Sequence, residues 1–183
     1  ASRCAEVDSA RLWIDRAAMW GNLTRFVLVR MGNLVGSDGS VVHTFRRQWA
    51  DSGCVQLTDP HMTRFWVGPQ DCADLIRGAC LGEHLNGCIL VSRLQAANLQ
   101  LFAAAAQPEA GITVVGPRPG ERRHELLYSA EEAPRYSRGI IFPEWHPSCP
   151  TGEKSDGIVS SQCPPIVLDR RDLREMIEAA DYV

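Results

Sequence analysis

The glycine-rich stretch at residues 29–42 is the first part of the sequence whose residue types could do chemistry. It reads VRMGNLVGSDGSVV and spaces Gly32, Gly36 and Gly39 after an apolar run. Glycines let a backbone approach a phosphate group closely, as in the dinucleotide fingerprint G-x-G-x-x-G. The spacing here is G-x-x-x-G-x-x-G, which does not fit, and a plain strand-to-helix loop would also use Gly, Asn, Ser and Asp. The stretch alone leaves phosphate binding and ordinary loop structure both open.

Cysteine and histidine, the residues that most often form disulfides or bind metals, show no organised pattern. The seven cysteines are odd in number and include no C-x-x-C pair, and the five histidines include no H-x-x-x-H pair. Disulfide frameworks pair their cysteines, and zinc sites usually show such close spacings. We therefore predict no metal site, and we expect most cysteines to be reduced and partly buried.

Composition and charge indicate one ordinary globular unit. The 183 residues are 45% hydrophobic with a formal net charge of −3, which allows one sizeable core and gives no basic excess favouring nucleic acid. No apolar run approaches the roughly 18 residues of a membrane span. The opening ASRCAEVDSARLW lacks the apolar core of a signal peptide. We expect a cytoplasmic protein that binds neither nucleic acid nor membrane.

Helix and strand patterns alternate along most of the chain. A glycine follows the second predicted helix, and a proline opens the third, as helix ends prefer. The order predicts an α/β fold with a largely parallel sheet. The predicted helices cover residues 5–20, 41–53, 69–82 and 94–106, and the predicted strands cover residues 25–30, 54–59, 87–92 and 111–116.

The C-terminal part combines a long loop with a final helix. Residues 143–165 are rich in Pro, Gly and Ser, and the helical pattern DRRDLREMIEAA follows at residues 169–180. Asp169 stands near the start of this helix, where an acidic residue is favoured. Its apolar stripe predicts that the helix docks on the body of the protein. The stripe consists of Leu173, Met176 and Ile177.

Three stretches then occur in a characteristic order: VRMGNLVGSDGSVV, LTDPHMTRFWV and VVGPRPGERRHE. This order resembles the extended short-chain dehydrogenase/reductase family, and within it the nucleotide-sugar 4,6-dehydratases of polysaccharide and flagellar-glycan biosynthesis, which act on UDP-N-acetylglucosamine. The motif D-P-x-M-T-R-F followed by R-P-G-E is its specific part. The resemblance implies a truncated α/β fold of this family: the late strands of the Rossmann-like sheet and the substrate-binding lobe, with the first Rossmann half missing.

The resemblance also implies a substrate site. In that family the glycine loop faces the sugar nucleotide rather than NAD, Arg64 would reach the nucleotide, and Arg118 and Glu121 would contact the diphosphate and the ribose. Guanidinium groups suit phosphate oxygens, and a carboxylate accepts hydrogen bonds from ribose hydroxyls. Taken singly, these residues could equally be a surface arginine and a turn built on Pro119-Gly120. The implied substrate-binding set is Asn33, Ser40, Met62, Arg64, Arg118 and Glu121.

The catalytic and cofactor parts of the family pattern are missing. The family's Tyr-x-x-x-Lys or Met-x-x-x-Lys pair falls on Leu12 and Arg16, and residues 1–30 contain no Tyr or Lys. Leucine cannot transfer a proton, and arginine, with a pKa above about 12, cannot act as the relay. No G-x-G-x-x-G occurs either. We therefore expect no cofactor in this chain alone and NAD or NADP in a partner chain.

These observations predict a non-catalytic subunit that works in a hetero-oligomer with a cofactor-bearing homologue and retains a nucleotide-sugar or nucleotide ligand. We expect residues 1–183 to form a single unit, with residues 1–45 a remnant of the dehydratase core and residues 46–183 the nucleotide-sugar-binding lobe and C-terminal helix. A free-standing UDP-sugar-binding or regulatory module, and a fragment of an active dehydratase, are the alternatives.

Overall fold

The computed structural model of this protein describes residues 24–92, 95–142, 147–150 and 166–181, together with Leu12. The helix predicted over residues 5–20, apart from Leu12, lies outside the described residues, as does the greater part of the loop predicted over residues 143–165. Within the described ranges, no helix combines the length and the apolar character needed to cross a bilayer.

The described residues alternate between short strands and helices. The helices are α1 Val41–Ser52, α2 Pro69–Leu81, α3 Leu99–Ala106 and α4 Arg170–Ala180, with 3₁₀ turns at Glu83–Leu85 and Ala133–Arg135. The strands are β1 Leu28–Arg30, β2 Asn33–Leu34, β3 Cys54–Leu57, β4 Thr63–Val67, β5 Ile89–Val91, β6 Gln95–Asn98, β7 Gly111–Val114, β8 Tyr136–Ser137, β9 Ile140–Ile141 and β10 Ile166–Val167.

These strands pair in three small sheets rather than in one largely parallel sheet. Their orders in the described part of the chain are β1-β5-β9-β8, β10-β6-β4-β2 and β3-β7. The pairs β1–β5, β2–β4, β3–β7 and β6–β10 are parallel, and the remaining pairs are antiparallel. Strand β2 follows β1 closely but pairs in the second sheet, so the glycine stretch begins where the chain passes between two sheets.

The helix predicted over residues 94–106 is wrong in its first part. Residues Gln95–Asn98 form β6, antiparallel to β4, and only Leu99–Ala106 is helical. The side chain of Asn98 caps the helix by accepting a hydrogen bond from the backbone N–H of Leu101 at 2.7 Å. Pairing with β4, a strand that the sequence patterns did not predict, overrides the helical preference of this alanine-rich segment.

The helix ends confirm the predicted local signals. Gly53 ends α1 with a left-handed φ of 69°, as predicted, and the side chain of Ser40, which the sequence patterns did not single out as a cap, caps its start. Pro69 opens α2, and the backbone N–H of Gly82 bonds to the carbonyl of Gly78 at its end. Asp169 caps α4 in a capping box with Asp172. Each of these ends satisfies backbone groups that would otherwise lack partners.

The main core lies between the helices α1, α3 and α4 and the strands beneath them. Trp66 of β4 stacks on Phe102 of α3 with ring centroids 3.8 Å apart, and Phe45 of α1 lies 6.5 Å from the same ring. Leu173 and Ile177 of α4 are buried in this cluster. The predicted docking of the C-terminal helix is therefore confirmed.

The end of α4 lies directly on the glycine loop. Gly36 has a φ of +80°, and a Cβ atom placed on it would lie 2.4 Å from the Cβ of Ala180. Beside this contact, Arg46 of α1 donates hydrogen bonds of 2.7 and 2.6 Å to the carboxylate of Asp181. These bonds hold the pKa of Asp181 below its ordinary value. The conformation of the loop therefore depends on the docking of α4.

Replacing Gly36 with alanine should destabilise the protein more than replacing Gly39. Gly39 also has a positive φ, +78°, but a Cβ there would meet nothing within 4 Å. Both substitutions add a backbone penalty of about 1 kcal/mol, and Gly36→Ala adds overpacking of about 1–3 kcal/mol against α4. Urea unfolding followed by circular dichroism measures both losses. Adding Ala180→Gly to Gly36→Ala should recover part of the loss, whereas equal losses for the two single variants would contradict this packing.

Candidate functional site

A pocket of about 380 Å³ opens between the glycine loop and the second sheet. Its walls come from the loop between Gly32 and Val41 and from Arg64 and Trp66 of β4. Leu99 and Glu121, which lie later in the chain, complete the lining. Parallel pairing of Asn33 with Trp66 and of Leu34 with Val67 brings the loop to the end of β4. The fold therefore places two of the three motif stretches beside each other, and Glu121 of the third stretch completes the wall.

Arg64 is held in this wall by its neighbours. Its guanidinium donates to the carbonyls of Thr63 at 2.8 Å and Arg123 at 3.2 Å. The Nε atom lies 3.5 Å from a carboxylate oxygen of Glu125, and Nη2 lies 3.9 Å from one of Glu121. The side chain is 13% exposed. A long flexible side chain fixed in this way loses little further entropy when it binds a ligand.

Glu121 closes the turn that carries the R-P-G-E motif. Its carboxylate accepts hydrogen bonds from the backbone N–H of Arg118 at 3.1 Å and from the hydroxyl of Thr58 at 3.4 Å. Its own backbone N–H bonds to the carbonyl of Arg118 at 3.0 Å. Arg118 itself is exposed, and its side chain does not line the pocket. The motif thus builds a turn that presents a carboxylate to the pocket.

Of the remaining predicted residues, some line the pocket and one packs behind a residue that lines it. Asn33 lines the pocket, and its amide donates to the carbonyl of Phe65 at 3.0 Å and to Glu125 at 3.1 Å. Ser40 also lines it while its hydroxyl accepts from the backbone of Gly36 at 3.2 Å. Met62 is buried, and its sulfur lies 2.7 Å from Nη2 of Arg64. Met62 therefore lies against Arg64 without forming part of the pocket wall.

The structure thus brings together four of the six predicted substrate residues. Asn33, Ser40, Arg64 and Glu121 line one pocket, whereas Met62 and Arg118 do not. At the degenerate catalytic positions, Leu12 is 66% exposed and Arg16 lies outside the described residues.

Sequence reasoning missed Glu125, which binds both Asn33 and Arg64. The signal that could have found it is a second carboxylate four residues after Glu121, in the same motif stretch. It also missed Trp66 and Leu99 as parts of the wall. Asp38 lies in the glycine loop that the resemblance turns toward the sugar nucleotide, and it lines the pocket as well.

The pocket can bind an anion beside hydroxyl groups. The N-terminus of α1 begins at Ser40 and carries a partial positive charge, and Arg64 adds a guanidinium that Glu121 and Glu125 partly neutralise. The carboxylate of Glu121 can accept hydrogen bonds from hydroxyls, and Trp66 and Leu99 add apolar surface. Among the described residues, no three His, Cys, Asp or Glu side chains form a cluster able to hold a metal ion. The absence of a metal from the whole protein stays a prediction.

Comparisons with known proteins identify the family and several relatives of this chain. The family model described as Polysaccharide biosynthesis protein matches residues 6–142. A UDP-N-acetylglucosamine 4,6-dehydratase (inverting) of Campylobacter jejuni is 32% identical over 130 residues, which are 70% of this chain and 39% of that protein. A UDP-glucose 4-epimerase of Rickettsia bellii is 34% identical over 113 residues, which are 60% of this chain and 33% of the epimerase.

Two solved structures share the fold. The X-ray structure of Pen from Bacillus thuringiensis matches with a TM-score of 0.79 and 21% identity, over 97% of this chain and 57% of Pen. The structure of RMD from Pseudomonas aeruginosa complexed with NADPH matches with a TM-score of 0.51 and 16% identity, over 96% of this chain and 54% of RMD.

The class is that of the extended short-chain dehydrogenases/reductases, as the resemblance of the three motif stretches implied. The chain spans 39% of the length of the dehydratase that it matches. Within that class the chain belongs to the polysaccharide biosynthesis protein family. The relatives that it matches include a nucleotide-sugar dehydratase and an epimerase.

Removing the guanidinium of Arg64 should destabilise the protein, because the carboxylates of Glu121 and Glu125 would both lose the cation that lies beside them. We expect Arg64→Ala to lower the free energy of unfolding by about 1–3 kcal/mol. Arg118→Ala is the matched control, and it should change stability by less than about 0.5 kcal/mol because its side chain is exposed. Urea denaturation of both variants measures the difference. Similar losses in the two variants would mean that the contacts of Arg64 contribute no more to the free energy of unfolding than an exposed arginine does.

Proposed function

We propose that this chain is the sugar-nucleotide-binding part of an NAD(P)-dependent nucleotide-sugar 4,6-dehydratase or epimerase, and that it acts as a non-catalytic subunit beside a cofactor-bearing homologue. The observation that carries the proposal is the pocket in which Asn33, Ser40, Arg64 and Glu121 meet. These residues come from three separate motif stretches, so their convergence is a property of the folded chain. We expect the complex to act in the cytoplasm. The division of the chain into a dehydratase-core remnant (residues 1–45) and a nucleotide-sugar-binding lobe with the C-terminal helix (residues 46–183) stays a prediction.

The pocket chemistry supports a UDP-sugar as the ligand. Arg64 and the N-terminus of α1 would attract the diphosphate, and Glu121 would accept hydrogen bonds from the ribose hydroxyls. Arg118 lies on the same turn as Glu121 with an exposed side chain, so it can extend toward a bound diphosphate. Met62 would act by packing against Arg64 rather than by touching the ligand. The names of the Campylobacter and Rickettsia relatives supply the nucleotide, UDP.

The glycine loop does not match the dinucleotide fingerprint of an NAD site, because Gly32, Gly36 and Gly39 follow the spacing G-x-x-x-G-x-x-G. A dinucleotide loop needs exposed glycines that the pyrophosphate can approach. Here Ala180 of α4 covers Gly36. We therefore assign NAD or NADP to the partner chain.

The altered catalytic positions support the non-catalytic assignment. Leu12 has no proton to transfer, and the guanidinium of Arg16 stays protonated at any working pH. If a dehydratase or epimerase forms around this chain, its proton transfers must come from residues of the partner. This chain would then bind and orient the nucleotide sugar.

Reconstitution tests the proposal. Calorimetry on the purified chain should detect UDP-N-acetylglucosamine binding but no NAD binding, and the chain alone should not turn the sugar nucleotide over. Co-expression with a homologue that carries both G-x-G-x-x-G and Tyr-x-x-x-Lys should give a hetero-oligomer by size-exclusion chromatography with light scattering. Tyr→Phe in the homologue's Tyr-x-x-x-Lys should abolish turnover by that complex without dissociating it.

Each contrary outcome selects another reading. Turnover by the purified chain with added NAD would show an active enzyme. Ligand binding by a chain that stays monomeric beside the homologue would favour a free-standing binding or regulatory module. If the folded wild-type chain does not bind UDP-N-acetylglucosamine, the three motif stretches have a structural role only.

A further inference from the structure

Among the described residues around the pocket, negatively charged side chains outnumber positively charged ones. Among the residues that the structure describes, one guanidinium, that of Arg64, lines the pocket together with two carboxylates, those of Asp38 and Glu121. A third carboxylate, Glu125, lies behind Arg64 at 3.5 Å. Arg64 therefore shares its charge with Glu121 and Glu125 before any ligand arrives. This excess of negative charge is unusual for a site that binds a phosphate group, because such sites normally attract anions with positive charge.

Asp38 is the uncompensated member of this group. It lies on the glycine loop, it is exposed, and it has no ion-pair partner among the described residues. Glu121 is engaged by the backbone of Arg118 and by Thr58, and Glu125 by Asn33. The charge of Asp38 consequently acts on whatever occupies the pocket.

The charge of a uridine diphosphate ligand depends on whether a sugar is attached. The terminal phosphate of free UDP has a second ionisation near pH 6, so it carries nearly one additional negative charge at neutral pH. Esterification by a sugar removes that ionisation, because both phosphates then have a single acidic oxygen. An uncompensated carboxylate in the wall therefore repels free UDP more strongly than it repels a UDP-sugar.

We infer that Asp38 is a specificity-determining residue that makes the pocket prefer a nucleotide sugar to the free nucleoside diphosphate. This inference rests on the proposed function, since it concerns the same pocket. The functional consequence is that free UDP would compete poorly with the substrate. A single charge at a partly solvated site is worth roughly three- to tenfold in affinity at low salt, and less as salt screens it.

The test compares three probes on four proteins. UDP-N-acetylglucosamine, UDP and uridine are titrated by calorimetry at pH 7.5 and low salt into the wild type, Asp38→Asn, Asp38→Lys and Asp51→Asn. Asp51 is an exposed aspartate at the far end of α1 and serves as the control. Asp38→Asn should raise UDP affinity about three- to tenfold more than UDP-N-acetylglucosamine affinity. Asp38→Lys should raise UDP affinity further, whereas the affinity for uridine should stay constant in all four proteins. In 0.5 M salt the difference between the variants and the wild type in UDP affinity should become smaller.

The outcomes separate this inference from the proposed function. If UDP-N-acetylglucosamine binds the wild type and its affinity ratio to UDP does not change in the Asp38 variants, the inference alone is wrong. An equal change in Asp51→Asn would also overturn it, because the effect would then reflect net charge. If none of the four proteins binds any of the probes, the proposed function fails and the inference fails with it.

Discussion

The guanidinium of Arg64 is the group on which the candidate site depends. It contacts two backbone carbonyls, lies near two carboxylates and rests on the sulfur of Met62. These neighbours come from β4, from the turn before it and from the stretch after β7. Burying a charged group is costly unless it is paired and hydrogen-bonded. The R-P-G-E stretch and the M-T-R-F strand must therefore fold together, and the pocket wall is the surface that results.

The opposite wall depends on packing rather than on charge. The glycine loop takes its shape from the Ser40 cap, from the positive φ of Gly36 and from the contact with Ala180. Burial of Leu173 and Ile177 brings α4 into that contact. The two walls thus have different physical origins, and the C-terminal helix contributes to the site without lining it. A perturbation of α4 would be expected to reach the pocket through the loop.

Local signals in the sequence were sufficient for the helix ends and insufficient for several strands. Gly53, Pro69 and Asp169 act within one turn of backbone, so their roles could be predicted. The strand Gln95–Asn98 could not, because it exists through pairing with β4, a partner distant in the sequence. The division into three sheets likewise depends on long-range pairing.

The same distinction holds for the site. Asn33, Arg64 and Glu121 belong to motif stretches, and the structure brings these three residues into one pocket. The outward position of Arg118 depends on the turn geometry, where Glu121 binds the backbone N–H of Arg118 rather than its guanidinium. Glu125 and Asp38 also lie in motif stretches, and the fold determines that Glu125 contacts Arg64 and that Asp38 lines the pocket. Residue identity therefore indicated which stretches matter, and the folded backbone determined which side chains reach the pocket.

The central claim is that a nucleotide sugar binds between the glycine loop and Arg64. Assigned ¹H–¹⁵N spectra recorded during a titration with UDP-N-acetylglucosamine test it most directly, because they report every backbone amide at once. The account predicts saturable shifts of the amides between Gly32 and Val41 and of those of Arg64 and Glu121, with little change around Tyr136–Ile141. Spectra that do not change, or shifts confined to the Tyr136–Ile141 region, would contradict it.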